Sequence, residues 1–415
     1  MNKEVAAKLA SVESYPLAIE IIQKLADIGH TSYFAGGCVR DALLGLKPKD
    51  IDIATTAHPE EIERIFNHTV AVGKKFGIIV VVEGKHNIEV ATFRKESDYR
   101  DGRRPENIEY SGPEEDSVRR DFTVNALFYD PLKKEVIDFQ NGVADLQQRK
   151  LRCVGNPDRR FSEDYLRILR CFRFSLVLDL EIESATLQSA IKHRDGLKQI
   201  SQERKRDELL KTILNLKTPW DLIVEFSNQK LWAMYGLPNE ILDYKDYLFQ
   251  SPIKNETEML IKLLWELDTR IEAKNWLKEF KCSTDVRQSV LRLLEFKKNL
   301  LNVLDWSEEE MHYFSYKYDM RLVIDIVNQE MKSPFYKSNP KTVDLGQKLE
   351  ILKKLMAYYA ENTIKPVVNG EHLKTKFQGA ELGRMLDLLF RKQLVHRWTR
   401  AEEALRWLES NSGKG

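Results

Sequence analysis

Apolar positions early in the chain recur at helical spacing. Ala6, Leu9, Tyr15, Leu17, Ile21, Ile22 and Leu25 predict helix across residues 5–29, and SYFAGG then reads as a strand entering a glycine turn. HPEEIERIF carries Pro59 and two glutamates at its start, the mark of a helix N-terminus. GIIVVVEG (77–84) and NIEVATFR (87–94) are β-rich runs around a short polar turn, which predicts a hairpin. Residues 95–113, KESDYRDGRRPENIEYSGP, lose all periodicity and are expected to form a loop. EEDSVRRDFTVNALFYD reads as an amphipathic helix opened by Arg119, Arg120 and Asp121, followed by short strand-like pieces to Asn156. From residue 158 onwards helical periodicity dominates, as in SEDYLRILRCFRFSLVL, QERKRDELLKTILNL and TEMLIKLLWELD, with no fixed repeat. An α/β head followed by an all-helical remainder is the fold class this implies.

Composition changes the picture little. With 42% hydrophobic and 31% charged residues over 415 positions, the chain can build two or three globular domains. Basic and acidic residues number 65 and 64, so no global charge draws it to nucleic acid and any such affinity is local. The absence of an apolar run of spanning length, and an opening MNKEVAAKLASVESY without a signal-peptide core, lead us to expect a cytoplasmic protein without a membrane partner. Cys38, Cys153, Cys171 and Cys282 lack metal-ligand spacing and read as reduced core thiols.

Chemistry concentrates first in residues 35–56, AGGCVRDALLGLKPKDIDIATT. If DIDIATT is a strand, Asp50 and Asp52 share a face while Ile51 and Ile53 point to the core. Two carboxylates on one face make a platform for a hard divalent cation that completes its shell with water and substrate phosphates. Gly36 and Gly37 let backbone approach such phosphates closely, and Arg40 adds a fixed positive fork. A glycine pair alone is usually a turn and Asp-x-Asp alone a solvated strand end; it is their spacing together that is specific. Glu89, on the second hairpin strand, is a candidate third acidic group, against the plainer reading of an edge-strand polar position. Arg119 and Arg120 need an anionic partner, which Glu114, Glu115 or Asp116 could also supply.

A second cluster lies in SEDYLRILRCFRF (162–174). Ser162 reads as an N-cap with Glu163 and Asp164 in the first turn, which leaves Arg167, Arg170 and Arg173 at i+3 steps unexplained. Asp164 beside Arg167 on one helix face would offer an acceptor next to a donor. That pair matches the pairing edges of cytosine and adenine and opposes those of guanine and uracil. Arg170 and Arg173 would then hold a phosphate or orient the pair.

Together GGCVRDALLGLKPKDIDIATT, RRDFTVNALFYD and EDYLRILRCFRF resemble the class II tRNA nucleotidyltransferases, the CCA-adding enzymes, and their relatives the bacterial poly(A) polymerases. The likeness runs over roughly residues 30–215 and continues weakly in VVNGEHLKTKFQGAELGRMLDLLF. It implies a polymerase-β-like head at 1–155, a helical neck with the base-selecting helix at 156–222, and a body and tail at 223–415 that grip the tRNA elbow. By the same resemblance Asp50 and Asp52 would bind two Mg²⁺ ions, Gly37, Arg40 and Arg120 would contact the nucleotide, and Asp164 and Arg167 would select CTP and then ATP, with Arg170 and Arg173 beside them. DYRDGRRP, with Asp98, Asp101 and Arg103, corresponds to the flexible loop of enzymes that switch from C to A addition; QERKRDELLK matches the last neck motif. The implied activity is untemplated addition of C, C and A to the tRNA 3′ end with release of pyrophosphate, without an obligate protein partner. A poly(A) polymerase and a partial, A-adding enzyme are the alternatives. The run Lys74–Phe76 leans towards the former, whereas Gly77, the intact loop and the ending SNSGKG without a basic tail lean towards CCA addition.

Overall fold

The protein is described from a computed structural model covering residues 2–99, 105–238, 246–265, 273–331 and 341–411. It divides into two compact units, Met1–Leu242 and Asp243–Gly415. The divisions expected at 155 and 222 both fall inside the first.

The first unit opens with α1 (Asn2–Ala10) and α2 (Tyr15–Asp27), followed by β1 (Ser32–Ala35), α3 (Gly37–Leu43), β2 (Ile53–Thr55) and α4 (Pro59–Ile65). β3 (Thr69–Gly73), β4 (Ile78–Glu83) and β5 (His86–Thr92) come next. β4 and β5 pair antiparallel as their alternation predicts, with Val80 opposite Glu89. α4 begins at Pro59 behind His58, so the proline signal is also met. β8 (Leu127–Asp130) and β9 (Glu135–Asp138) complete one mixed sheet in the order β3-β4-β5-β2-β1-β8-β9, in which only β2 and β5 run parallel among the pairings described. Ala35, Ala54, Phe93 and Phe128 form a buried cluster against it.

Two expectations fail here. The described residues of 95–113 are not an irregular loop: β6 (Arg94–Tyr99) and β7 (Pro105–Tyr110) pair antiparallel, Lys95 opposite Glu109 and Ser97 opposite Asn107. Their backbone ladder needs no apolar face. Nor is 114–130 one helix: α5 (Pro113–Val118) stops at Arg119, Phe122 is extended (φ −128°, ψ 149°), and LFYD is strand β8, where aromatic residues suit a pleated surface.

After α6 (Gly142–Gln147), β10 (Lys150–Leu151) pairs with β11 (Glu181–Ile182), and between them lie α7 (Pro157–Glu163) and α8 (Leu166–Leu178). α9 (Ser184–His193), α10 (Gln202–Ile213) and α11 (Trp220–Asn228) finish this unit. In the second unit the described elements are all helical, the long ones being Thr284–Asn299, Lys341–Glu361, Gly379–His396 and Ala401–Asn411. The last two are separated by Arg397 in the left-handed region, φ 54°. Lys374, Lys376, Arg391 and Lys392 are paired there with Glu371, Glu409, Asp387 and Glu309. All four cysteines are free and buried, and no described helix is long and apolar enough to cross a membrane.

Candidate active site

The glycine turn is set by its neighbours on both sides. Gly36 donates its N–H to the Leu127 carbonyl of β8 at 2.8 Å, and Ala35 donates to the Asp52 carbonyl at 2.9 Å. Gly36 adopts φ 70°, and a Cβ there would stand 2.9 Å from Arg120 Nη1. Glycine is therefore required both by the backbone conformation and by the arginine packed over it. Gly37 begins α3, which presents Arg40 one turn later.

Arg40 is buried. Its Nη1 donates to Asn125 Oδ1 at 2.6 Å, Nε and Nη2 donate to Asp41, and the guanidinium lies 5.1 Å from the Phe174 ring centre. Arg120 donates Nε and Nη2 to Asp116 Oδ2 (3.2 and 3.1 Å) and Nη1 to the Asn125 carbonyl, 4.8 Å above Phe128. Asp116 is fully buried and also takes Arg119. Burial alone would raise its carboxyl; Arg119 and Arg120 hold it below the ordinary value. The anionic partner for the two arginines is thus Asp116, one of the three acids the sequence offered.

The aspartates alternate as the sequence predicts, although the ladder starts only at Ile53: Ile51 and Ile53 are each 1% exposed, whereas Asp50 and Asp52 face solvent. Glu89 is also exposed, one residue before Val90, the parallel partner of Ile53. Although Asp52 reaches solvent, the protein packed around its carboxyl strips enough water to push it up to about 7, with Asp50 and then Glu89 adding to the rise and Arg120 opposing. Asp50 and Glu89 beside Asp52 gather like charges that a cation relieves, and the donors are all carboxylate oxygens, the type preferred by hard divalent ions. Among the described residues no three His, Cys, Asp or Glu side chains are close enough to hold a metal ion together. Glu89 therefore adds to the field without completing a ligand set, and a bound ion would need substrate oxygens as well.

The second cluster departs from its helical reading. Asn156 caps α7, accepting from Arg159 N at 3.1 Å, and Ser162 is interior to that helix, its hydroxyl bonded to the Arg159 carbonyl. The helix ends at Glu163, and Asp164 is extended (φ −149°, ψ 104°), its Oδ1 accepting from Leu166 N at 3.0 Å at the start of α8. Asp164 and Arg167 are consequently not neighbours on one helix face. Asp164 Oδ2 accepts instead from Arg204 of α10 at 3.0 Å. The buried Arg167 donates to Glu163 Oε2 at 2.8 Å and to the carbonyls of Arg160 and Arg119.

Arg170 and Arg173 find separate carboxylates. Arg170 Nε and Nη2 meet Asp121 Oδ2 at 2.7 and 2.6 Å, and Arg173 Nε meets Glu208 Oε2 at 2.7 Å. Both guanidiniums and that of Arg40 surround one ring, Phe174, at 5.3, 4.1 and 5.1 Å. Burial raises the Asp121 carboxyl, but Arg170 and the Asn125 amide overcome it and hold it at about 2. Asp98 lies on β6, while Asp101 and Arg103 lie outside the described residues. Sequence reasoning gave no role to Asn125, Phe174, Arg204 or Glu208. The surplus of arginines signalled that buried carboxylates must exist, without saying which.

Residues 32–152 match the poly A polymerase head domain, and residues 179–220 match the probable RNA and SrmB-binding site of polymerase A. A CCA-adding enzyme of Streptococcus pyogenes serotype M4 is 34% identical over 395 residues, 93% of each chain. Another, from Streptococcus suis strain 05ZYH33, is 37% identical over 298 residues, 67% of this chain and 70% of the relative. The crystal structure of the Bacillus stearothermophilus CCA-adding enzyme in complex with CTP superposes with a TM-score of 0.78 at 26% identity, covering 97% of this chain and 98% of that one. The Thermotoga maritima CCA-adding enzyme complexed with tRNA shares the fold, with a TM-score of 0.62 at 22% identity.

Proposed function

The chain belongs to the family of CCA-adding enzymes, and we propose on that premise that it adds C, C and A to the 3′ end of tRNA, taking CTP and ATP and releasing pyrophosphate. The observation that carries this is the convergence, in one compact unit, of the exposed Asp50/Asp52 pair, the Gly36 turn and the arginines, the buried Arg40 and the half-buried Arg120, Arg170 and Arg173. A metal-dependent nucleotidyl transfer needs those three parts.

Asp50 and Asp52 would hold Mg²⁺, two ions in the full complex, which supply activation of the 3′-hydroxyl and neutralisation of the triphosphate. The glycine turn lets backbone lie against the nucleotide, and Arg40 and Arg120, locked by Asn125, Asp41 and Asp116, present positive charge whose position is already fixed. No reorganisation is then needed when the phosphates arrive. Asp164 supplies an acceptor for the exocyclic amine of cytosine or adenine, and Arg167 a donor for the adjacent ring nitrogen. In the structure both are engaged, Asp164 by Arg204 and Arg167 by Glu163, so base reading exchanges one of these bonds for the base. Arg170 and Arg173 flank that position through Phe174.

Replacing Asp52 with Ala tests the assignment. Incorporation of CTP into tRNA lacking its CCA end is expected to vanish while tRNA affinity stays within a fewfold of wild type. Substantial turnover by Asp52→Ala refutes the metal assignment.

A further inference from the structure

Transfer brings two polyanions to the same pair of carboxylates: the triphosphate and the 3′ end of the RNA. The Gly36 turn with Arg40 and Arg120 accounts for the first. Asp50 also lines a recess of about 530 Å³ that contains, among the described residues, none of those groups. Its walls come from the Lys47–Asp50 segment ahead of β2, the Lys85–Asn87 turn into β5, and the corner between α1 and α2. The parallel register of Ile53 with Val90 brings the first two together.

We infer that this recess, through Lys47, Lys49 and Lys85, binds the backbone phosphates at the 3′ end of the RNA; the inference rests on the nucleotidyl-transfer function proposed above. Three physical arguments support it. A phosphodiester approaching Asp50, Asp52 and Glu89 is repelled by on the order of 1 kcal/mol per charge at 4 Å in water, and more in a partly dry cleft, so cations are needed beside them. The three lysines are exposed and only lightly engaged: Lys49 Nζ donates to Asn215 Oδ1 at 3.2 Å, and Lys85 meets Glu13 at 3.0 Å with both side chains about three-quarters exposed, 76% and 74%. Such pairs are weak and exchange readily for a phosphate. Finally, the terminal bases change from C to A as addition proceeds, so contacts to the strand must ignore sequence. Lysine ammoniums on flexible stems, directed at phosphates, do so. The volume lies within the roughly 300–1,000 Å³ of small-ligand sites, which accommodates a nucleotide.

The test compares wild type with the Lys47→Ala/Lys49→Ala and Lys47→Arg/Lys49→Arg double variants on a tRNA transcript lacking CCA, alongside equilibrium binding of CTP without RNA. For the alanine pair we expect KM for the RNA to rise roughly tenfold, about 1.4 kcal/mol, with kcat and CTP affinity within twofold. The log–log salt dependence of RNA binding should become shallower by about 0.7 for each phosphate that no longer meets a lysine, and the arginine pair should restore both. An unchanged KM and salt slope overturn the inference, as does a fall in kcat at unchanged KM, which would mean that the lysines act on the aspartates. If wild type itself adds nothing to the transcript while still binding it, the proposed function fails, and the phosphate site is judged from the salt slopes alone.

Discussion

Asp121→Asn probes how Arg170, proposed above to face the nucleotide, is held. Asp121 is 8% exposed; its Oδ1 accepts from Phe122 N and Asn125 Nδ2 and its Oδ2 from Arg170. An asparagine has nearly the same shape, yet it can serve only one side: its NH₂ faces a donor whichever way the amide turns. A carboxyl held at about 2 in place of the usual 3.8 represents roughly 2 kcal/mol of stability. A buried donor left without an acceptor adds ~1–3 kcal/mol, so the variant should be less stable by roughly 3–5 kcal/mol at about pH 7, the range found for broken buried pairs. The sign with pH follows from the depressed value. Asp121 stabilises fully above 3.8, and that contribution is lost as pH falls through about 2, so the gap between wild type and variant should narrow as pH drops through that window. Urea unfolding from neutral pH down to about 3, with peptide-resolved hydrogen exchange over 120–125 and 166–174, measures it. A gap below ~1 kcal/mol at neutral pH, the size of an exposed pair, or one that does not change with pH, refutes the reasoning.

Gly36→Ala places a Cβ 2.9 Å from Arg120 Nη1 on a backbone at φ 70°, ψ −118°, a region that costs a side-chain-bearing residue ~1–3 kcal/mol. We expect KM for CTP to rise with little change in RNA affinity, and an unchanged KM would show that the turn does not meet the nucleotide. Asp164→Ala is expected to scramble choice among the four triphosphates more than it lowers total incorporation; competition of CTP and ATP against UTP and GTP reads this, and unchanged discrimination refutes the role of Asp164.

The parts of the fold legible in sequence were those where one face is apolar. β4 and β5 alternate Ile, Val and polar residues, and α4 announces itself with Pro59. The same rule explains the failures. β6 and β7 carry charged and polar residues at positions such as Lys95, Glu109 and Asn107, so a ladder held by backbone hydrogen bonds leaves no period to read. VNALFYD is a short apolar run, for which helix and strand cannot be separated by periodicity, and its aromatic residues were the better guide. In the segment proposed to select the base, Ser162 with two acids imitates a helix start, while the true start was the Asn156–Pro157 pair six residues earlier. At the site, residue types pointed to the aspartates and arginines, but not to the arrangement that joins Arg170 to Asp121, Arg173 to Glu208 and Asp164 to Arg204. Those pairings cross 35 to 49 positions of chain and depend on how α8 packs against α10 and the Arg120–Asn125 segment.

The most direct test of the central claim is to incubate the protein with a tRNA transcript ending before its CCA, labelled CTP and ATP, and Mg²⁺, and to sequence the 3′ ends. The expected product carries C, C and A, and extension then stops. A tract of adenosines would make the chain a polyadenylating enzyme, addition of A only to ends already bearing CC would make it a partial one, and unextended RNA would contradict nucleotidyl transfer altogether.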